Sequence, residues 1–410
     1  MGSAARGGNG RGTSGNGRGG GPPPRPAPRP AALPGRMPAP HLRPMAPPPA
    51  PARPRPPRLL AALATVVLAS ACGSPAPRPL PESAAATGAA PVAAGTTTGT
   101  TTASTATGST AADTSAGGVW SAAPPMRHAR AAHAVVSTGT ALYALAGTGA
   151  GAAPVLAVEK FDGEAWTEET TLPGDGLNAP AAAVLGGKIY LVGGFSTVTN
   201  VPTSGVHVYD VARRTWSEAA PLPAPRGGHA AVVLDGRIHV LGGGNSRSTI
   251  ADHTVYDPAA NAWTERAPLP RAKGSPAVVA HGGRLYAIGG RSGPGDFGEV
   301  DVYDPAADAW SAGPPIEPRG TAGAVVHCGA IHLFGGESQA RQATLASVLR
   351  LDPATGAWRE APPMPTARSF ARAVPLGGAV YVVGGSPTYG SSHSSTGGAV
   401  VERYEARCVR

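Results

Sequence analysis

With 58 glycines and 46 prolines among 410 residues, and only 14% charged and 5% aromatic residues, the chain is too rich in helix breakers to be mainly helical. Its formal net charge of +9 suggests a nucleic-acid partner, yet residues 1–71 hold ten arginines and no acid, which leaves residues 72–410 at about −1 and without the basic footprint that DNA or RNA binding needs. Three cysteines, Cys72, Cys328 and Cys408, lack CxxC spacing and clustered histidines, so no structural metal is expected, and no motif implies a cofactor.

In chain order, residues 1–44 are Gly-, Pro- and Arg-rich with almost nothing to bury, and are expected to be a disordered extension, with Met37 and Met45 as alternative starts. Counted from Met45, residues 45–71 follow the order of a secretory signal: Arg53, Arg55 and Arg58, then an apolar run over residues 59–68, then small residues before a cysteine. That run is too short to span a bilayer. Its ending LASAC, residues 68–72, resembles the lipobox of bacterial lipoproteins, with Leu68 one place further from the cysteine than in the commonest form. The resemblance implies cleavage before Cys72, a lipid on its thiol, and anchorage in the bacterial cell envelope on the periplasmic or surface side. Ordinary secretion with a coincidental cysteine is the competing reading. Residues 72–118 then form an Ala/Thr/Ser-rich flexible tether, whose reach at 5–6 Å × √n is about 35–40 Å.

Beyond the tether the sequence repeats. Trp120, Trp166, Trp216, Trp263, Trp310 and Trp358 are spaced by 46, 50, 47, 47 and 48 residues, and no tryptophan lies outside this ladder. Between them recur glycine pairs, Gly193 and Gly194, Gly242 and Gly243, Gly289 and Gly290, Gly335 and Gly336, Gly384 and Gly385, with a degenerate Ala146 and Gly147 in the first repeat. Each repeat reads as two short strands around a tight turn, such as HAAVVLDG followed by RIHVLGG, then a variable loop, then a third and a fourth strand such as HTVYDP and NAWTERAPLP. In KIYLVGG both alternate faces are apolar, as suits a strand covered on both sides. A helix after the glycine pair, which a phosphate-binding loop would need, is missing from the pattern, so the pair reads as a strand terminator.

The glycine pair, the spaced Tyr and Trp and the period, repeated in register, resemble the kelch repeat over residues 119–407. The resemblance implies an all-β fold, a six-bladed β-propeller of four-stranded blades. Trp120 sits in a fourth strand with no first three before it, and the last repeat stops after three strands, so residues 119–123 are expected to complete the last blade.

Immediately before or at the start of the innermost strands stand Arg130, Arg226, Lys273, Arg319 and Arg368, with Asn178 in the corresponding region of the second repeat. Arg247, Arg291 and Arg341 lie in loops after glycine pairs on the same face. A cationic funnel for an anionic ligand is one reading, because arginine matches carboxylate, sulfate or phosphate bidentately. The other is that each inner cation bonds backbone carbonyls between blades, which equally explains its recurrence. His239 and His332 take places held elsewhere by Tyr143, Tyr190, Tyr286 and Tyr381, and read as packing residues. His133 and His229 have no third ligand in register, so they are not taken as a metal site.

The expected function is non-catalytic: a membrane-anchored extracytoplasmic module that presents its loop face to a protein or glycan, with no nucleic-acid partner. The alternative is a carbohydrate-active enzyme similar to sialic-acid mutarotase, for which Glu299, Glu337 and Asp296 are the nearby carboxylates, with surface solvation as their other role. An enzyme similar to galactose oxidase would need a tyrosine–cysteine crosslink, and no cysteine looks placed for it. Whether Cys328 and Cys408 form a disulfide or Cys328 is a buried free thiol stays open at this level.

Overall fold

The computed structural model describes residues 117–293, 295–352, 354–390, 398–406 and 408. The extension, the signal segment, Cys72 and all but the end of the tether lie outside the described residues.

Six four-stranded antiparallel sheets form the blades. Blade 1 runs outward from Ala134–Ser137 through Leu142–Leu145 and Ala157–Phe161 to Trp166–Thr171, and blades 2 to 5 repeat this meander. In blade 6, Arg372–Leu376, Ala379–Val383 and Val401–Glu405 are completed by Val119–Ala123, which pairs antiparallel with Val119 opposite Glu405 and Ala123 opposite Val401. The innermost strands contact one another in sequence around the ring, the sixth against the first. Closure therefore rests on backbone hydrogen bonds between the two ends of the propeller, as the repeat pattern predicts.

Each blade is apolar on both faces, and each face is covered by a neighbour. In the second strand of blade 2, Ile189 and Leu191 join Tyr143, Leu145 and Val158 of blade 1, while Tyr190 and Val192 join Ile238, Val240 and Tyr256 of blade 3. Period-two alternation here sorts side chains between two dry interfaces rather than between core and water. The tryptophans lock the rim. Trp263 Nε1 donates to the Ala220 carbonyl of the preceding blade at 2.8 Å, Trp310 to Ala267 at 2.8 Å, and Trp120 closes the series on Pro362 at 2.9 Å. Tyr256 and Tyr303 hold the indoles of Trp263 and Trp310 with ring centroids 5.1 Å apart.

The glycine pair joins blades near the axis. Gly243 N donates 3.0 Å to the carbonyl of Lys273, the residue leading into the next blade. Gly242 lies against that same carbonyl: a Cβ there would fall 2.5 Å from it, at a φ of +62°. Equivalent bonds run from Gly194 to Arg226, Gly290 to Arg319, Gly336 to Arg368 and Gly385 to Arg130. The pair is thus a close-approach device, with one glycine making room for the bond that the other donates.

Cys328, in the first turn of blade 5, and Cys408, after the third strand of blade 6, form a disulfide across 80 residues. His327 lies beside both sulfurs, which are committed to each other.

The glycine argument separates two alanine substitutions. Gly236→Ala, in an open turn at φ +70°, is expected to cost about 1–2 kcal/mol of left-handed strain alone. Gly242→Ala adds a backbone collision and should lose clearly more in urea denaturation, so equal losses at the two sites would refute the close-approach role.

Candidate functional site

The left-handed residues that lead into the six innermost strands form a ring at the loop-face end of the axis. Ala179, Gly228, Ser275, Thr321 and Phe370 each donate a backbone N–H to the carbonyl of the preceding member, the first acceptor being Ala132. Phe370 packs with Ala132 and Ala179, and Phe195 covers them. The loops after the glycine pairs emerge around this ring.

The inner cations lie beneath the ring and are buried. Arg130, Arg226 and Lys273 are 0% exposed, Arg319 and Arg368 2%. Arg130 donates to Ala146 and Ala157 carbonyls and pairs with Glu159 at 2.5 Å. Arg226 pairs with Asp252 at 3.0 Å, Lys273 with Asp301 at 2.7 Å and Arg368 with Glu402 at 2.7 Å, while Arg319 reaches Ser347 Oγ at 2.8 Å. These side chains hold the second and third strands of their own blades, whereas their carbonyls take the glycine N–H of the blade before. The cationic funnel is therefore not built from these five residues, because they are buried and bonded to groups of their own blades. Blade 2 loses the pair as a unit: Leu177 takes the cation's place, accepting from Gly147 N, and Gly205 stands where Asp252 does in blade 3.

The loop arginines differ. Arg247 is exposed in a turn built on Asn245. Arg341 pairs with Glu317 at 2.5 Å and keeps 60% of its side chain exposed. Arg291, in the two-residue strand after the blade 4 glycine pair, pairs through Nη1 with Oε1 of Glu337, the residue after the blade 5 pair. Its guanidinium lies 5.3 Å from the centre of the Phe370 ring. A cavity of 190 Å³ opens beside it, lined also by Phe195, Gly228, Thr249, Ser275 and Gln339.

Of the three carboxylates noted from the sequence, Glu299 is exposed and paired with Arg271 at 2.6 Å, and Asp296 is half-buried. Glu337 is 1% exposed, so surface solvation is not its role. Burial pushes its carboxyl above the ordinary value against the pull of Arg291, and the charge of Asp296 pushes the same way as burial. Asp296 accepts the Gln339 N–H at 2.5 Å, and its Oδ1 and Glu337 Oε2 make no hydrogen bond of normal geometry. The site thus has a half-exposed guanidinium in front and a buried acid behind it. Register makes the break visible: this place after the glycine pair is Thr148, Phe195, Gly244 and Ser386 in the other blades.

The Kelch-repeats domain profile KLHDC2/KLHL20/DRC7 matches residues 118–269 and 179–385. The chain belongs to the kelch-repeat family. It is 32% identical over 129 residues to alpha-scruin of Limulus polyphemus and 29% identical over 126 residues to Kelch-like protein 38 of Mus musculus, in each case over 30% of this chain. These stretches are 14% and 21% of those proteins, so the chain spans a minor part of the curated kelch relatives it matches. The structure of YjhT superposes with a TM-score of 0.59 at 17% identity, over 68% of this chain and 96% of that one, which is a likeness of fold.

Histidines at the core of this kelch ring are neutral. His239 Nδ1 and His253 Nε2 lie 2.9 Å apart, and burial holds both near a pKa of about 4. His332, fully buried and stacked on Phe334, is held down to about 4 by burial, then by His327 and Arg350. His239 and His332 pack as the sequence predicts, both of them buried.

Two outcomes follow. Lys273→Met, which strands Asp301, is expected to cost about 3–5 kcal/mol in urea denaturation, and adding Asp301→Leu should recover much of it. A histidine pKa depressed in the fold gives stability that is full above the unfolded value near 6.5 and is lost as pH falls toward about 4. His332→Tyr, the residue four other blades carry, should flatten that loss by about 1.4 kcal/mol per pH unit, as read from stability at pH 7, 6 and 5.

Proposed function

We propose that this chain is a lipid-anchored, extracytoplasmic kelch propeller that binds a carboxylate- or sulfate-bearing glycan or protein at its loop face. The observation that carries the binding reading is the Arg291–Glu337 pair at the lip of the 190 Å³ cavity, where a guanidinium is held in place from behind and keeps donors for a ligand. Glu337 fixes the direction of Arg291, whose guanidinium lies over the Phe370 ring, and Phe195 lines the cavity beside it. Extracytoplasmic placement is supported by the Cys328–Cys408 disulfide, a bond that persists in oxidising compartments, together with the signal-like order of residues 45–71. Lipid on Cys72 is part of the proposal, with the membrane as its second partner.

A second reading is favoured by one specific feature. Glu337, whose affinity for its proton is raised by burial, and Asp296 converge with Arg291, the kind of acid–base grouping a mutarotase-like enzyme needs to open and close a sugar ring. A reaction similar to that of galactose oxidase has no such support, since Cys328 and Cys408 are bonded to each other and neither is free to crosslink to tyrosine.

A glycan array probed with the protein, repeated for Arg291→Met and for Arg247→Gln with Arg341→Gln, tests the binding site. Loss of about tenfold or more in affinity with Arg291→Met alone is expected, about 1.4 kcal/mol at the least. Unchanged binding when all three are replaced would remove the loop arginines from the account. Anomer exchange of an acidic sugar followed by NMR, fast in the wild type and slow in Glu337→Gln with affinity retained, would establish the enzymatic reading instead. Cys72→Ser is expected to move the protein from the membrane to the soluble fraction.

A further inference from the structure

Strand register aligns six positions at the start of the innermost strands: Ala134 opposite Leu145, Ala181 opposite Val192, Ala230 opposite Leu241, Ala277 opposite Ile288, Gly323 opposite Phe334 and Arg372 opposite Val383. All six line one cavity of 120 Å³ on the central axis. Five carry alanine or glycine, and the sixth carries a guanidinium that crosses the space they leave.

Arg372 Nε donates 2.9 Å to the carbonyl of His133 in blade 1. Its two terminal nitrogens have no other hydrogen bond to the described residues, and none of the ion pairs among those residues includes it. This sets it apart from the five inner cations, each of which is bound to carboxylate, carbonyl or hydroxyl groups. Burial holds its pKa below the ordinary arginine value with no neighbouring acid to oppose it. The titratable groups around it add no negative charge: His133 is kept neutral by burial and by Arg130, Arg372 and Arg368, and His229 is pushed down to about 3 by burial, Arg226 and Arg372. This half-buried guanidinium faces the channel with forked donors that no acid matches, which leaves them open to an anion. The cavity beside it has room for a small ion and a few waters, at about 30 Å³ per water.

The way in is set by the fold. On the loop face, five hydrogen bonds link the residues that precede the innermost strands, Phe370 packs on Ala132 and Ala179, and this cavity shares no lining residue with the one beside Arg291. On the opposite face a wider space of 640 Å³, lined by Ser137, Thr138 and Gly377, opens at the hairpin turns and shares Val135 and Ala231 with the inner cavity.

We propose that the propeller axis is an anion site, in which Arg372 binds a small monoanion of halide to formate size that enters through the hairpin-turn mouth. Charge-assisted hydrogen bonds from the two terminal nitrogens hold it. This site is independent of the loop-face reading and uses none of its residues.

Bromide is the probe. Crystals of the protein soaked in sodium bromide are expected to show an anomalous peak within hydrogen-bond reach of the Arg372 guanidinium, and Arg372→Ala should lose that peak while keeping surface peaks. Thermal unfolding in sodium gluconate, with bromide or formate added at constant ionic strength, should show a saturable rise in Tm in the wild type that Arg372→Ala lacks. Alanine is the residue of four other blades here, so the variant is expected to fold, and circular dichroism checks this. A response to both anions marks a general monoanion site, and one to bromide alone a site restricted to halides. Surface peaks with none in the channel, or the same anion response in wild type and Arg372→Ala, would overturn the proposal.

Discussion

A blade that is apolar on both faces has nowhere to bury them except against another blade, and the contact that makes this possible is a single carbonyl. The residue leading into each innermost strand offers its C=O to the second residue of the preceding blade's pair, while in five blades the first glycine leaves the space for that approach and in blade 1 Ala146 stands there at a φ of +59°. Most of the architecture follows from this bond. It sets the spacing of blades at the axis, and it delivers every loop after a glycine pair to the same face, beside the entry of the next blade. The loop-face site spans two blades for this reason: Arg291 of blade 4 is brought against Glu337 of blade 5 by the joint that holds the ring.

The same residue carries a second duty through its side chain. In five blades it is a cation that fastens two strands of its own blade, so backbone and side chain of one residue join both neighbours. A buried pair gains little over an apolar one of equal shape, but losing one partner is costly. Blade 2 obeys this rule, since Leu177 replaces the cation, and Gly205 and His207 stand where blade 3 and blades 1, 4 and 6 carry the acid.

How much of this was legible in the sequence depends on whether it repeats. The blades, their strand order and closure by residues 119–123 could be read because the tryptophans and glycine pairs recur at an almost constant period. Recurrence of the inner cations pointed both to a ligand and to a repeated structural need, and burial decides for the second. The disulfide could not be read, because pairing two cysteines 80 residues apart takes a distance that only the folded ring supplies. Glu337 looked like a surface acid because loops after strands are usually wet. Its burial comes from the hairpin that the blade 5 loop folds back over it, pairing Glu337 with Thr344. Arg372, four residues after Arg368, stands outside the recurring series, and recurrence carries a bias toward the member of a series and against the exception.

That bias suggests a general reading of ring proteins. Equivalent positions in equal blades face equal packing demands, so a residue that recurs is adequately explained by the demand it meets. A residue that departs from its equivalents in charge or size, and costs the fold something by doing so, has no such explanation. Two departures of this kind stand out. One is the opposed charges of Arg291 and Glu337 at positions that are small or neutral in the other blades; the other is Arg372 in a ring of alanine and glycine. They lie on opposite sides of the hydrogen-bonded ring, each beside a cavity. In both, arginine keeps donors after the fold's own needs are met, so each departure from the repeat is matched by an unspent capacity for anions.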